Sequence, residues 1–277
     1  MKMHFTKMHG IGNDFILIDC IEQVCPQDIK DLEDLSKRLC HRRFGIGADQ
    51  ILFLHPSKTA DFRMRIFNAD GGEVEMCGNG VRCLAQHIWE RNLSDKNILH
   101  IETLAGIIKP EKAGDMVRVD MGEPIFEAEK IPVNINSELT SSFPLQIEDR
   151  EFKITCVSVG NPHAIIVVDD VSSFPVPSYG PLIESHPIFP RKTNVEFIQV
   201  LTRKEIKMRV WERGSGETMA CGTGASAAAV AARIKGLTDN AVTVHLLGGD
   251  LFIEWADNNH VYMTGPAVKV FEGDFDL

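Results

Sequence analysis

The stretch FRMRIFNADGGEVEMCGNG (62–80) lies over IKMRVWERGSGETMACGTG (206–224) without a gap, at an offset of 144 residues. The identical pairs are Met64/Met208, Arg65/Arg209, Gly72/Gly216, Glu73/Glu217, Cys77/Cys221, Gly78/Gly222 and Gly80/Gly224. Upstream, GIGNDFILID (10–19) echoes SVGNPHAIIVVD (158–169), each with Gly-Asn followed by an apolar run that ends in Asp. Two matches in the same order predict a duplicated half of about 130 residues. Whatever the fold, it must therefore present two similar units, each with one of the paired cysteines at a matching place.

Alternating or β-branched runs predict strands near 14–19, 50–54, 62–68, 98–103, 116–120, 153–159, 164–169, 194–201, 206–212, 242–246, 251–255 and 260–264. Turn residues punctuate them, as in NADGGE, EKAGD, LLGGD and ADNNH. Helices are predicted over 28–43, with Gly45 as the residue just past its end, and over 80–91 and 223–235, directly after the two cysteines. In the first cysteine helix Val81, Leu84, Ala85, Ile88 and Trp89 share one face. In the second, ASAAAVAARI is small nearly all round, so sheet can close about it on several sides. The expected class is α/β (α+β): two pseudo-symmetric lobes, each a curved mixed sheet wrapped around a central helix, with the cysteine loops meeting at the cleft between them.

Composition narrows the function. A net charge of −10 argues against a nucleic-acid or anionic-membrane partner, because phosphate binding needs a basic field. No run approaches the roughly 18 apolar residues of a membrane-spanning helix, and the N-terminal stretch does not read as a secretion signal. Seven cysteines (20, 25, 40, 77, 83, 156 and 221), an odd number with no CxxC spacing, predict free thiols in a reducing cytoplasm rather than a disulfide framework or a zinc site. Cys20, Cys25, Cys40, Cys83 and Cys156 read as small hydrophobic residues.

Cys-Gly-x-Gly at a helix start has a chemical meaning. The first turn offers backbone N–H groups without intrahelical partners and a partial positive charge. A thiol there is biased toward thiolate, and glycines let a carboxylate approach the same N–H groups. One such turn reads equally as a structural cysteine; two at matching places point to a pair. Two thiols solve the problem of inverting an α-carbon: one removes the hydrogen from one face while the other returns a proton to the opposite face. Helix N-termini would stabilise the charge moving onto the α-carboxylate in a site closed to water. No metal cluster or pyridoxal-lysine signature competes for this work, so no cofactor is expected.

The motifs GIGNDF (10–15), GADQ (47–50), FNADGGEVEMCGNGVRC (67–83), VGNPHA (159–164), TNVEF (193–197), VWERGSGETMACGTGA (210–225) and GPAVKVFEG (265–273) resemble the diaminopimelate epimerase family over essentially the whole chain. The resemblance implies Cys77 and Cys221 as the acid/base pair, flanked by His163 and Glu212. It implies that Gly78-Asn79 and Gly222-Thr223 hold the reacting α-carboxylate. Asn13 and Glu212 would meet the reacting ammonium end, with Gln50 lining the pocket, and Asn68, Asn161, Asn194 and Arg213 would hold the distal amino-acid end. It further implies two lobes over 1–121 and 122–265, the first completed by a last strand at about 266–277, with closure over a small-molecule amino-acid substrate and a homodimeric assembly.

Without the resemblance, Asn13, Asn68, Asn161 and Asn194 read as turn or cap residues, Glu212 and Arg213 as a surface pair, and His163 as a satisfied core histidine. Three rival functions stay open: a racemase for another amino acid, a thiol redox protein that oxidises Cys77 and Cys221, and a module that has lost catalysis.

Overall fold

The computed structural model describes residues 2–26, 28–135 and 140–277. The chain divides into two units, Met1–Val119 with Gly265–Leu277, and Asp120–Thr264. No helix among the described residues is long and apolar enough to cross a membrane.

In the first unit the order is β1 (Lys2–Gly10), β2 (Asn13–Asp19), α1 (Ile29–Cys40), β3 (Gln50–Pro56), β4 (Phe62–Asn68), β5 (Glu73–Val74), α2 (Gly78–Glu90), β6 (Ile101–Thr103), β7 (Gly106–Ile108), β8 (Pro110–Ala113) and β9 (Met116–Asp120). The second unit follows with β10 (Phe143–Ile147), β11 (Arg150–Ser158), β12 (Pro162–Val167), α3 (Val176–Glu184), β13 (Asn194–Thr202), β14 (Glu205–Glu212), β15 (Gly216–Thr218), α4 (Gly222–Ile234), β16 (Ala241–Leu246), β17 (Gly249–Trp255) and β18 (Val261–Gly265). The last strand, β19 (Val268–Asp276), pairs with β1 in the first unit.

The two sheets repeat one pairing scheme. The first contains the run β19-β1-β2-β3-β4-β6-β7 and the second the run β10-β11-β12-β13-β14-β16-β17-β18. In each, an antiparallel pair (β1/β2, β11/β12) is followed by a parallel step (β2/β3, β12/β13), an antiparallel pair (β3/β4, β13/β14) and a second parallel step (β4/β6, β14/β16). Both sheets are thus mixed, and the helices α1, α2, α3 and α4 make the parallel crossovers that such steps require. In each unit α2 or α4 packs across several strands, α2 on β1, β2, β3, β4 and β8, and α4 on β11 through β14, β16 and β17.

Alternation divides the strands between two layers. Ile16, Ile18, Ile51 and Phe53 join Leu32, Leu35 and Leu39 of α1 in one buried cluster. Cys156, Ala164, Ile166, Val195 and Phe197 join Val176 and Ile183 of α3 in its counterpart. Phe15, Leu52, His163 and Glu196, which alternate with those residues along the same strands, fall on the α2 and α4 faces.

Several sequence expectations are corrected. The first helix stops at Cys40 and not at 43, with Asp28 capping its start by accepting from Lys30 N at 2.8 Å. Gly45 is not the residue that closes α1. It lies in the following turn, where an added Cβ would collide with the backbone carbonyls of Arg38 and Leu39. The α3 segment was not foreseen because VPSYGPLIE carries two prolines and a glycine, all helix-disfavouring. Here a tertiary contact decides: a Cβ on Gly180 would lie 2.6–2.8 Å from three atoms of Trp211, so the helix can seat there only with glycine. Cys20 and Cys25, expected as free apolar thiols, form a disulfide, because the turn after β2 brings their Cα atoms to 5.5 Å. The remaining five cysteines are not disulfide-bonded.

Candidate active site

Cys77 and Cys221 occupy the same position in the two units, the N-cap of a 13-residue helix. Both have extended backbone there, with φ/ψ of −139°/114° and −128°/111°, so each sulfur sits at the mouth of the first turn. Cys221 accepts from Gly224 N at 3.4 Å and contacts Thr223 Oγ1 at 3.5 Å. Cys77 donates to Asn13 Oδ1 at 3.7 Å. The glycines permit this: a Cβ on Gly224 would come within 3.2 Å of Cys221 Sγ and 2.7 Å of Glu196 Oε1.

In the first unit the predicted residues gather at the sheet edge beside α2. Asn13 begins β2, Gln50 begins β3 and Asn68 ends β4. Gln50 and Asn68 are register partners, and Gln50 Nε2 donates to Asn68 Oδ1 at 2.8 Å. Asn13 Nδ2 donates to Asp49 Oδ2 at 3.0 Å, which turns its Oδ1 toward Asn79 Nδ2 at 3.3 Å and toward Cys77. Gln50 Oε1 and Asn79 Oδ1 are buried acceptors with no hydrogen-bond partner among the described residues. Such acceptors fit a ligand that donates, as an ammonium does.

The second unit builds the same edge with different chemistry. Asn194 begins β13 and Glu212 ends β14, occupying the places of Gln50 and Asn68. Asn194 Nδ2 donates to Pro162 O at 3.0 Å, and its Oδ1 accepts from Arg213 N at 2.9 Å. Arg213 donates to Arg191 O at 3.1 Å and is otherwise exposed. Thr218 Oγ1 donates to Glu212 Oε1 at 2.5 Å, and burial pushes the Glu212 carboxyl upward. His163 is fully buried, its Nδ1 2.7 Å from Glu196 Oε1 and its Nε2 2.8 Å from Asn161 Oδ1. Burial, with the negative charges of Glu212 and Glu196 behind it, raises the Cys221 thiol well above its ordinary range.

The predicted residues therefore fall into two groups, one per unit. Three further residues escaped the sequence reading: Asp49, which orients Asn13; Arg82, fully buried in α2; and Glu196. Glu196 was visible in principle, as an acid inside NVEFI, a continuous buried run of β13.

Comparison with known proteins decides the family. The sequence model described as Diaminopimelate epimerase matches residues 5–127 and 155–270. This chain belongs to that family. The diaminopimelate epimerase of Moorella thermoacetica is 55% identical, covering 99% of this chain and 100% of its own. That of Acetivibrio thermocellus is 51% identical, covering 99% of both. Among solved structures, a PhzF-family phenazine biosynthesis protein of Bacillus anthracis matches with a TM-score of 0.75 at 18% identity over 100% of both chains. A hydroxyproline epimerase of Agrobacterium vitis, crystallised with trans-4-hydroxy-L-proline, matches with a TM-score of 0.68 at 15% identity, covering 99% of this chain and 92% of its own. These two likenesses concern the fold. The diaminopimelate epimerase fold thus accounts for the repeated pairing scheme of the two units.

Proposed function

We propose that Cys77 and Cys221 are the paired acid and base with which this diaminopimelate epimerase interconverts LL- and meso-2,6-diaminopimelate, without pyridoxal phosphate. The observation that carries the residue assignment is the repetition of a thiol at the N-cap of α2 and of α4, each followed by Gly-x-Gly. One sulfur, as thiolate, takes the α-hydrogen as a proton; the electron pair left on carbon is delocalised into the α-carboxylate; the other sulfur, as thiol, gives its proton to the opposite face. The N–H groups of Gly78-Asn79 and Gly222-Thr223 suit that carboxylate, since they lack intrahelical partners and lie at the positive helix ends. Asn13 and Glu212 are assigned to the reacting ammonium, with Gln50 beside them. Asn68, Asn161, Asn194 and Arg213 are assigned to the distal end, where the Arg213 guanidinium matches a second carboxylate. His163 and Glu212 adjust the proton affinity of the flanking thiol.

The family's reaction supplies lysine and peptidoglycan precursors, and a cytoplasmic homodimer is the assembly and location consistent with the resemblance. Sedimentation velocity at micromolar protein would test the dimer.

The test of the mechanism is deuterium wash-in at the α-carbon across a panel of amino acids. Diaminopimelate should exchange and invert in the wild-type protein, whereas Cys77→Ala and Cys221→Ala, both still folded by circular dichroism, should lose inversion, because the remaining thiol serves only one face of the α-carbon. Near-normal inversion in either variant defeats the two-thiol assignment. Exchange with another amino acid alone defeats the substrate assignment.

A further inference from the structure

Asn13 and Asn161 hold equivalent places in the two units. Phe15 pairs with Gln50 as His163 pairs with Asn194, and each asparagine stands two residues before the first member of its pair. Turning an asparagine amide over exchanges a carbonyl oxygen for an N–H2 group with little change in shape. Which end faces a ligand is therefore decided by what holds the other end. The two units decide it in opposite senses.

In the first unit the backbone of Asn13 is fixed by its pairing with Gly10 across the two-residue turn Ile11-Gly12, where both φ angles are positive, 46° and 88°. Its Nδ2 lies 3.0 Å from Asp49 Oδ2. A carboxylate only accepts, so the amide nitrogen must face it and the carbonyl must face away. Oδ1 accordingly accepts from Asn79 Nδ2 at 3.3 Å and from the Cys77 thiol at 3.7 Å. The polarity passes one residue further. With Nδ2 committed to Asn13, Asn79 keeps Oδ1 as a buried acceptor that meets no donor among the described residues. Gln50, next in the chain to Asp49, gives Nε2 to Asn68 and likewise keeps Oε1 as such an acceptor.

Asp49 is itself held. Oδ1 accepts from Arg42 Nη2 at 2.6 Å, and Oδ2 accepts from Asp14 N at 3.2 Å as well as from Asn13. Arg42 in turn grips both oxygens of Asp14, at 2.8 and 3.1 Å. Both carboxylate oxygens of Asp49 thus face donors, a demand that an amide, with one oxygen, does not meet. In the second unit the residue before Asn194 is Thr193, whose hydroxyl donates to Asn194 O at 3.0 Å. There the Asn161 amide is held by its oxygen instead, Oδ1 lying 2.8 Å from His163 Nε2, which leaves the N–H2 end for a ligand.

We propose that Asp49 is a positioning residue for selectivity: by holding Nδ2 of Asn13 it makes the first-unit site present carbonyl oxygens, and so take an ammonium in preference to a hydroxyl. This rests on the reading above that Asn13 meets the reacting ammonium, and adds what makes that asparagine an acceptor. An ammonium carries three donors and no acceptor, so carbonyl oxygens recognise it and an N–H2 group repels it. A hydroxyl brings one donor and also accepts, so it tolerates either end of the amide. The same asparagine turned over, as Asn161 is, suits a carboxylate.

The experiment follows α-proton exchange of diaminopimelate by the full-length protein and its competitive inhibition by 2,6-dihydroxypimelate, in which a hydroxyl replaces each amino group. The ratio of the inhibitor's Ki to the substrate's KM is scored, because a merely structural loss weakens both ligands together and the distal end contributes alike in every variant. Asp49→Asn keeps the shape without the second oxygen, and Asp49→Thr installs the second unit's own residue. Each should lower the ratio at least about tenfold, as expected for losing one hydrogen bond to a charged group. The Asp49 side chain is 44% exposed, so both replacements leave the core in place. A ratio that stays at the wild-type value in these variants overturns the proposal. Asn13→Ala separates it from the reading beneath it. If Asn13→Ala lowers the ratio and the Asp49 variants do not, Asn13 keeps its ammonium and only the part given to Asp49 falls. If Asn13→Ala leaves the ratio in place, the ammonium assignment itself fails, and the proposal with it.

Discussion

His163 and Glu196 form a pair with no solvent exposure on either side chain, Nδ1 2.7 Å from Oε1, on the face of the second sheet that meets the start of α4. Glu196 Oε2 makes no hydrogen bond among the described residues, so the carboxylate depends on the imidazole for what satisfaction it has. In the first unit the corresponding places hold Phe15 and Leu52, both fully buried. One fold thus tolerates either an apolar or a polar pair at the same depth.

A stability contrast follows. Glu196→Ala should cost about 3–5 kcal/mol, because it leaves the imidazole buried without its partner, whereas replacing both residues by those of the first unit, His163→Phe with Glu196→Leu, should cost far less. Urea unfolding of the single and double variants gives the comparison. Equal costs would mean that the pair is not energetically coupled.

Gly224 should tolerate a side chain less well than Gly80. The added methyl in Gly224→Ala meets a carboxylate oxygen at 2.7 Å and the Cys221 sulfur at 3.2 Å, whereas in Gly80→Ala the closest atom is the end of the Leu52 side chain at 3.2 Å. Overpacking of this kind typically costs 1–3 kcal/mol. We expect α-proton exchange to fall at least about tenfold in Gly224→Ala and by less in Gly80→Ala. Steady-state exchange rates of the two variants, side by side, check the order.

Glu184 anchors the turn that carries Arg213. It accepts from Trp211 Nε1 at 2.8 Å, from Gly214 N at 3.0 Å and from Lys192 Nζ at 3.2 Å. Glu184→Ala should raise KM for diaminopimelate about tenfold, the equivalent of about 1.4 kcal/mol, with a smaller change in kcat, because the guanidinium loses its position and the thiols do not. A fall confined to kcat would move Arg213 out of the distal site.

Acid should loosen the first unit through Asp14. Burial alone would raise this carboxyl, but hydrogen bonds and charge from Arg42 and Lys7 outweigh it and hold the group at about 2, against an ordinary 3.8. A folded-state value below the unfolded one means the stabilisation is complete above about pH 4 and is lost as pH falls toward 2. The contribution is about 1–2 kcal/mol. Asp14→Asn should therefore lower unfolding free energy at pH 7, with the gap from wild type closing between pH 4 and 2. A gap independent of pH would assign the loss to packing.

The repeat in the sequence determined a great deal about this protein. Two units, a thiol at each matching helix start and a strand frame around each are legible because spacing and period are local properties, carried by CGNG, CGTG and the alternating runs. The roles assigned to the asparagines and Arg213 come only from the longer motifs, since an asparagine at a strand end has the same chemistry whether it caps a turn or meets a ligand.

Tertiary structure alone decided the rest. It seated the proline-bearing α3 against Trp211, joined Cys20 to Cys25 across a turn, and buried Arg82 of α2 with its Nε against the Pro266 carbonyl. It also turned Glu196 inward beneath Gly224, beside a histidine 33 residues away in the chain. Charge acts through space, and the distances between these groups are set by strand register and by how the helices pack. A linear pattern that looks symmetric can therefore enclose two thiols in different fields.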